Sequence, residues 1–414
     1  MESKQRNYQI DVLKFACAIC VFFSHTLGFK EIEKGTSVHA YFDHLGWISV
    51  HIFFVISGFL MVKNVKSGGG GRNEGKKALR FAFGKLRRIA PSYMTALMMM
   101  LFMQYAYIYL SAKNVSIADQ QVFSMQPFDL TIRAIPELLG MGEAGVMLYP
   151  YNAPMWYVSA MFLVMIPSSY LLIKNRDFFV YILSPVAAML LFSCLFHQSE
   201  GEVFVSHTAW LGICSAGILR SACGIFFGVV GWILYEKLCS MPDSKRTKLA
   251  VTIAEILLNV VFFYTWIFRK STKDTLFPVM LLIPAIVAVA FSRKSYAADL
   301  FRFSWMRYAG GISQAVFLNH YAAVCVIMAF FKGDGYWLCV SFTAVLTVFL
   351  CMANQLFVKY TKIILQNIFR KQPAAAASAD RSRQGRDVIV YSEREEEPFN
   401  QNMGIKEKEK GTGG

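Results

Sequence analysis

Lys14 and His25 are the residues whose types and spacing most directly suggest chemistry. They lie eleven positions apart in DVLKFACAICVFFSH, residues 11–25, a largely apolar segment. At about 100° per residue, eleven residues make three helical turns, so both side chains project from one helix face, roughly 16 Å apart along its axis. A cation can bind an anionic substrate, and an imidazole can act as a general base. The residues alone leave open a second interpretation, in which Lys14 snorkels to a lipid headgroup and a neighbouring helix satisfies His25.

The composition is that of a membrane protein. The chain has 414 residues, of which 55% are hydrophobic and 17% charged, and its mean hydropathy is +0.41. Apolar runs long enough to span a bilayer recur to about residue 365, which excludes a large soluble domain. The net charge of +15 resides mainly in short loops, where Lys and Arg set topology, so it does not indicate nucleic-acid binding.

We predict an all-α fold, a polytopic membrane bundle of about ten spanning helices. The predicted spans lie near residues 10–29, 46–63, 90–110, 154–173, 178–196, 209–235, 248–268, 276–292, 309–331 and 337–363. A basic amphipathic helix at 76–88 is expected to lie on the membrane, with Pro91 near the first turn of the third span. A short helix is expected near 129–140, within the longest internal loop.

Loop charges and tail composition predict the topology and the domains. Lys and Arg are concentrated in alternate loops, which places both termini in the cytoplasm, although the loop at 269–274 breaks the pattern. Lys14 would then lie near the cytoplasmic side and His25 toward the outer side. Residues 1–371 form the predicted integral membrane domain, and residues 372–414, which are poor in apolar residues, form a disordered cytoplasmic tail.

Other candidate residues each allow two interpretations. Lys85 and Arg88 could bind phosphate groups, or they could attract anionic lipid and set topology. Ser57 precedes a glycine in the second span, where small residues favour close helix packing. Trp156 is either an interfacial anchor or a substrate platform, and His320 is either an interhelical hydrogen-bonding residue or part of a site lining. No spacing matches a strong metal signature, so no metal site is predicted.

Five segments stand out, in order: DVLKFACAICVFFSH at 11–25, FFVISGFL at 53–60, FGKLRRIAPSY at 83–93, APMWYVSAMF at 153–162 and FLNHY at 317–321. Together they resemble motifs of the acyltransferase-3 family of integral membrane acyltransferases, which includes bacterial O-acetyltransferases of surface polysaccharides. The family's opening motif has a basic residue followed after ten positions by His, here Lys14 and His25, and many members have Arg where this chain has Lys14. The resemblance extends over about residues 8–365 and implies the same plan of about ten spans.

The resemblance implies an acyltransferase. Its donor would be cytoplasmic acyl-CoA, usually acetyl-CoA, and its acceptor a hydroxyl of an extracytoplasmic or lipid-linked glycan. His25 would be the catalytic base with Lys14 beside the donor, and Lys85 and Arg88 would bind the phosphates of coenzyme A. Ser57, Trp156 and His320 are the implied substrate-binding residues.

The resemblance also bears on cofactors, location and the alternative function. No permanently bound cofactor is expected, and the implied location is the bacterial inner or cytoplasmic membrane, in contact with its lipids. A transporter or flippase of a polysaccharide, lipid precursor or small acid is the alternative, because charged residues inside spans also suit transport. Broken helices at paired midplane positions would favour transport, and the sequence contains no clear pair.

Overall fold

The computed structural model consists almost entirely of helices. It describes residues 7–29, 37–65, 73–112, 127–143, 152–198, 209–210, 214–268, 273–300, 303–331 and 335–370. The helices are α1 (Tyr8–His25), α2 (Ser37–Asn64), α3 (Glu74–Ala112), α4 (Pro127–Leu138), α5 (Met155–Lys174), α6 (Ser184–Gln198), α7 (Ala216–Ser240), α8 (Lys245–Phe268), α9 (Lys273–Ser292), α10 (Ala297–Leu300), α11 (Ser304–Phe330) and α12 (Tyr336–Arg370). A 3₁₀ turn, Thr26–Gly28, follows α1, and a π-helical segment, Phe178–Leu183, precedes α6.

The prediction of a polytopic helical membrane bundle is confirmed. Within the described ranges, nine helices are long and apolar enough to cross a membrane, and α9 contributes a shorter apolar helix, Phe277–Ser292. Two prolines, Pro278 and Pro284, lie inside α9. The short helix expected near 129–140 corresponds to α4.

The basic helix predicted at 76–88, leading into the third span, is helical as expected, and its position on the membrane stays a prediction. These residues form the first part of α3, which continues through Pro91 without a break. Phe83 packs edge-on against Phe162 of α5, with the ring centroids 5.1 Å apart, so the segment is held in the bundle by a neighbouring helix. Pro91 lies in the interior of α3 rather than in its first turn, which costs one backbone hydrogen bond.

The predicted start of the 209–235 span is wrong. Ala209–Trp210 pairs antiparallel with Cys214–Ser215, and α7 begins only at Ala216. The Ser215 side chain caps the helix by accepting a hydrogen bond from the Gly217 amide, 3.0 Å away. Serine is a favoured N-cap because its hydroxyl satisfies a backbone N–H that has no helical partner.

Close packing of α2 against α7 forms the centre of the bundle. A Cβ built on Gly58 would lie 2.0 Å from the carbonyl oxygen of Ile225, and one built on Gly228 would lie 2.2 Å from the carbonyl oxygen of Val55. Any larger residue at either glycine would push the helices apart. The small-residue packing role expected in the second span is therefore fulfilled by Gly58, next to Ser57.

Helix α1 packs against both α2 and α11, and these contacts fix its orientation. Asp11 packs directly against Gly310 of α11, and a Cβ built on Gly310 would lie only 2.3 Å from the Asp11 Cγ. Gly46 of α2 has Ser24 against it in the same way, so α2 runs antiparallel to α1. We call the end of the bundle at which α1 begins the near end, and the opposite end the far end.

The chain divides into two units, residues 1–362 and 363–414. The first contains all helices up to α11 and most of α12, while only the last turns of α12 are described in the second. The predicted tail at 372–414 lies outside the described residues. The predicted side of each terminus stays a prediction.

Candidate functional site

The structure brings His25 and His320 together. His25 is the last residue of α1, and His320 lies in the middle of α11. The Nδ1 atom of His25 is 2.9 Å from the Nε2 atom of His320, which is hydrogen-bonding distance. Asp11 of α1 also contacts Gly310 of α11, so the two helices pack together over several turns.

Backbone carbonyls determine the tautomers of the pair. The Nδ1 atom of His320 lies 3.0 Å from the carbonyl oxygen of Val316, which can only accept, so this nitrogen carries the proton. His320 Nε2 is then an acceptor, and His25 Nδ1–H donates to it. The same N–H lies 3.1 Å from the carbonyl oxygen of Val21. The remaining lone pair is on His25 Nε2, which can therefore take a proton.

Aromatic rings surround the imidazole pair. Tyr321 meets His25 edge-on with ring centroids 5.2 Å apart. Phe22 and Phe317 face His320 at 6.3 and 6.4 Å. His320 is fully buried, at 0% exposure, whereas His25 is partly exposed. His25 is thus the more accessible member of the pair.

Lys14, Lys85 and Arg88 form a second cluster, nearer the near end. Lys14 of α1 and Arg88 of α3 are close enough to Lys85 to interact with its ammonium group through their charges. Lys14 and Lys85 are half-buried, and Arg88 is exposed. Like charges repel, and an anion bound among them would relieve the repulsion while accepting charge-assisted hydrogen bonds.

Ser57 is joined to the imidazole pair through aromatic contacts. Its hydroxyl lies 3.2 Å from the hydroxyl of Tyr157, which also donates to the carbonyl oxygen of Phe53 at 3.3 Å. The Tyr157 ring meets Phe317 edge-on, with centroids 5.5 Å apart, and Phe317 in turn faces His320. Ser57 therefore sits in the same aromatic region as the histidines without contacting them directly.

Trp156 participates in a different cluster, around Arg220 of α7. The Arg220 guanidinium lies over the Trp156 ring at 5.2 Å and over the Trp47 ring at 4.9 Å, and it donates to the Trp47 carbonyl at 2.6 Å. Cation–π contacts of this kind stabilise a desolvated cation. Sequence reasoning missed Arg220, although a charged residue inside an apolar span is itself a signal of function.

A carboxyl group with an unusual environment lies just before α5. The Glu143 amide donates to the Ser159 hydroxyl at 2.9 Å, and the Ser215 hydroxyl donates to its carboxylate. Burial raises the pKa of Glu143 to about 7, and the bond from Ser215 opposes that shift. This carboxyl, which the sequence analysis also missed, changes its charge near neutral pH.

The predicted site residues thus fall into four places. His25 pairs with His320, Lys14 groups with Lys85 and Arg88, Ser57 bonds with Tyr157, and Trp156 stacks on Arg220. Helix α1 connects the first two places because it carries both Lys14 and His25. Within the residues that the structure describes, His, Cys, Asp and Glu side chains form no group of three or more that could hold a metal ion.

Comparison with known proteins gives one match. The acyltransferase-3 family model, described as an acyltransferase domain, matches residues 7–353. No curated protein and no solved structure matches the chain. The matched range includes every predicted site residue and begins just before α1.

Proposed function

The chain belongs to the acyltransferase-3 family, and from that premise we propose that it is an O-acetyltransferase of the bacterial cytoplasmic membrane. It transfers an acetyl group from cytoplasmic acetyl-CoA to a hydroxyl of an extracytoplasmic or lipid-linked glycan. The observation that carries the proposal is the hydrogen-bonded pair of His25 and His320, at the end of the helix that also carries Lys14. A reachable base and a cationic cluster connected by one helix are what acyl transfer from an anionic donor requires.

In this mechanism His25 is the general base. Its Nε2 atom takes the proton of the acceptor hydroxyl as the hydroxyl oxygen attacks the thioester carbonyl carbon. The resulting imidazolium donates through Nδ1–H to Nε2 of His320, which stabilises the positive charge. When the carbon–sulfur bond breaks, the thiolate of coenzyme A takes the proton back from His25. The products are the ester and the free thiol.

The cationic cluster binds the donor. Lys85 and Arg88 hold the phosphates of coenzyme A, and the thioester arm extends along α1 toward His25. Lys14 belongs to the same cluster but is carried by α1, the helix that ends at His25, and it holds the anionic end of the donor. Ser57 and Trp156 contribute to substrate binding through the contacts that hold Tyr157 and Arg220.

The proposal is tested with purified protein in lipid nanodiscs, where both faces are accessible. Acetyl-CoA should be consumed with release of free thiol, and mass spectrometry should find new O-acetyl esters on added glycans extracted from the host envelope. Cells with and without the protein should differ in the same esters. A transporter or flippase would leave acetyl-CoA intact, and that outcome would favour a transport function over acyl transfer.

Replacing Lys85 and Arg88 together with Ala is expected to weaken coenzyme A binding about tenfold, since phosphate contacts at a partly exposed site are screened by water. Isothermal titration of the purified double variant with coenzyme A measures the change. Arg80→Ala, an exposed cation on the same helix, is the matched control and should bind normally. Unchanged affinity in the double variant would remove these residues from the donor site.

Replacing Lys14 with Ala is expected to lower the rate of thiol release about tenfold, because one charge-assisted contact to the donor is lost. Lys14→Arg should retain most of the rate, since the charge stays and the family commonly has Arg at this position. Initial rates across acetyl-CoA concentrations separate the two variants. Equal rates for Ala and Arg would contradict an electrostatic role.

A further inference from the structure

Gln104 of α3 is a fully buried amide that the proposed mechanism does not use. Its exposure is 0%, and neither Oε1 nor Nε2 has a hydrogen-bond partner among the described residues. A buried amide without partners is costly, above all in a bundle surrounded by lipid, where little water can satisfy it. Such a group is explained if a ligand supplies the missing hydrogen bonds.

Gln104 lies one helical turn beyond Met100, which packs in the same cluster as the Tyr321 ring. It follows Met100 by four residues and so lies on the same face of α3, about 6 Å further toward the far end. Met100 packs in one cluster with Ala322 and Tyr321 of α11. Tyr321 is the ring that contacts His25. Gln104 therefore lies on the face of α3 that packs in this cluster, which also contains Leu350 of α12, one turn beyond Met100.

The side chains in the cluster around Met100 are small or flexible, so they can repack around a ligand. The α11 side of this cluster carries small side chains, Ala322, Ala323, Cys325 and Ala329. The α3 side carries Met99 and Met103, whose flexible side chains can repack around an inserted group. These residues are all uncharged, which suits an uncharged ligand.

We propose that Gln104 binds the acceptor, an uncharged sugar bearing free hydroxyl groups that enters between α3 and α11 from the far end. The inference rests on the proposed function and names the acceptor class of the same site. The donor phosphates are assigned to the Lys85 cluster, which leaves the acceptor for Gln104. An amide both donates and accepts, and so does a sugar hydroxyl, so the two form reciprocal hydrogen bonds. One hydroxyl held by Gln104 positions another at Nε2 of His25.

The test compares acyl transfer with donor hydrolysis. Gln104→Leu and the matched control Met98→Leu, at a residue of the same helix that is 52% exposed, are purified in nanodiscs. Acetyl-labelled acetyl-CoA is added with extracted envelope glycans, and label in glycan and in free acetate is counted. The ratio of transfer to hydrolysis should fall about tenfold or more in Gln104→Leu, because a sugar hydroxyl then lacks its partner. It should be unchanged in Met98→Leu.

The outcomes separate the two proposals. An unchanged ratio in Gln104→Leu, or an equal loss of transfer and hydrolysis in folded protein, would overturn the role of Gln104. No label in glycan or acetate with the wild-type protein would instead overturn the proposed function. Gln104→Leu should be at least as heat-stable as wild type, since it removes an unsatisfied buried amide. If the Leu variant does not fold, Gln104→Met, whose side chain has a similar volume, is used in its place.

Discussion

Protein carrying His25→Ala is expected to release thiol from acetyl-CoA about a hundredfold to ten-thousandfold more slowly than wild type. The imidazole of His25 offers the Nε2 lone pair, whereas Nε2 of His320 already accepts the His25 N–H and its Nδ1–H donates to the Val316 carbonyl oxygen. The loss should therefore fall on kcat, while binding of coenzyme A at the Lys85 cluster persists. Initial rates and titration with coenzyme A measure the two quantities separately.

The control for His25→Ala is His197→Ala, which removes an exposed imidazole at the end of α6. It should leave the rate unchanged, and both variants should elute as monodisperse, helical protein. A wild-type rate in folded His25→Ala protein would refute the base assignment. Loss of coenzyme A binding together with the rate would show instead that His25 supports the donor site.

Replacing His320 with Leu is expected to lower kcat about a hundredfold, because the imidazolium formed on His25 loses a charge-assisted hydrogen bond. The tautomer of His25 should survive, since its Nδ1–H still has the carbonyl oxygen of Val21 at 3.1 Å. The effect should therefore be smaller than that of His25→Ala, and KM for acetyl-CoA should change little. The measurement is kcat and KM for both variants in the same nanodisc preparation.

A conservative variant distinguishes positioning from packing at His320. Gln can place a carbonyl oxygen near the position of Nε2 and accept from His25, so His320→Gln should recover part of the rate lost in His320→Leu. A purely structural role predicts the opposite order, because Leu fits an apolar environment better than an unsatisfied amide. Equal rates for Leu and Gln would remove His320 from the mechanism.

Local periodicity was sufficient to predict part of the site. Lys14 and His25 share a helix face because eleven residues make three turns, and this relation holds whatever surrounds the helix. The spans were predictable for the same reason, since length and hydropathy are local properties. The continuity of α3 was not, because Pro91 usually marks a helix start, whereas here it lies inside the helix.

The partners of these residues depend on contacts between distant segments. His25 and His320 are separated by 295 positions and meet because α1 packs against α11, where Asp11 also contacts Gly310. Similarly, Gln104 is an ordinary polar residue in the sequence. Its missing hydrogen bonds become evident only when the neighbours on α11 are known. The sequence therefore indicates which groups can react, and the helix packing indicates which groups they meet.

Helix α1 has a consequence for the length of the donor. Between Tyr8 and His25 it contains neither proline nor glycine, and it ends only at His25. In the proposed mechanism this uninterrupted helix fixes the separation along its axis between Lys14 and the base His25 at roughly 16 Å. A thioester attached to a long, phosphate-bearing carrier can contact Lys14 and His25 at the same time, whereas a short activated ester can contact only one of them. The same helix that supplies the base would thus select the donor by its length.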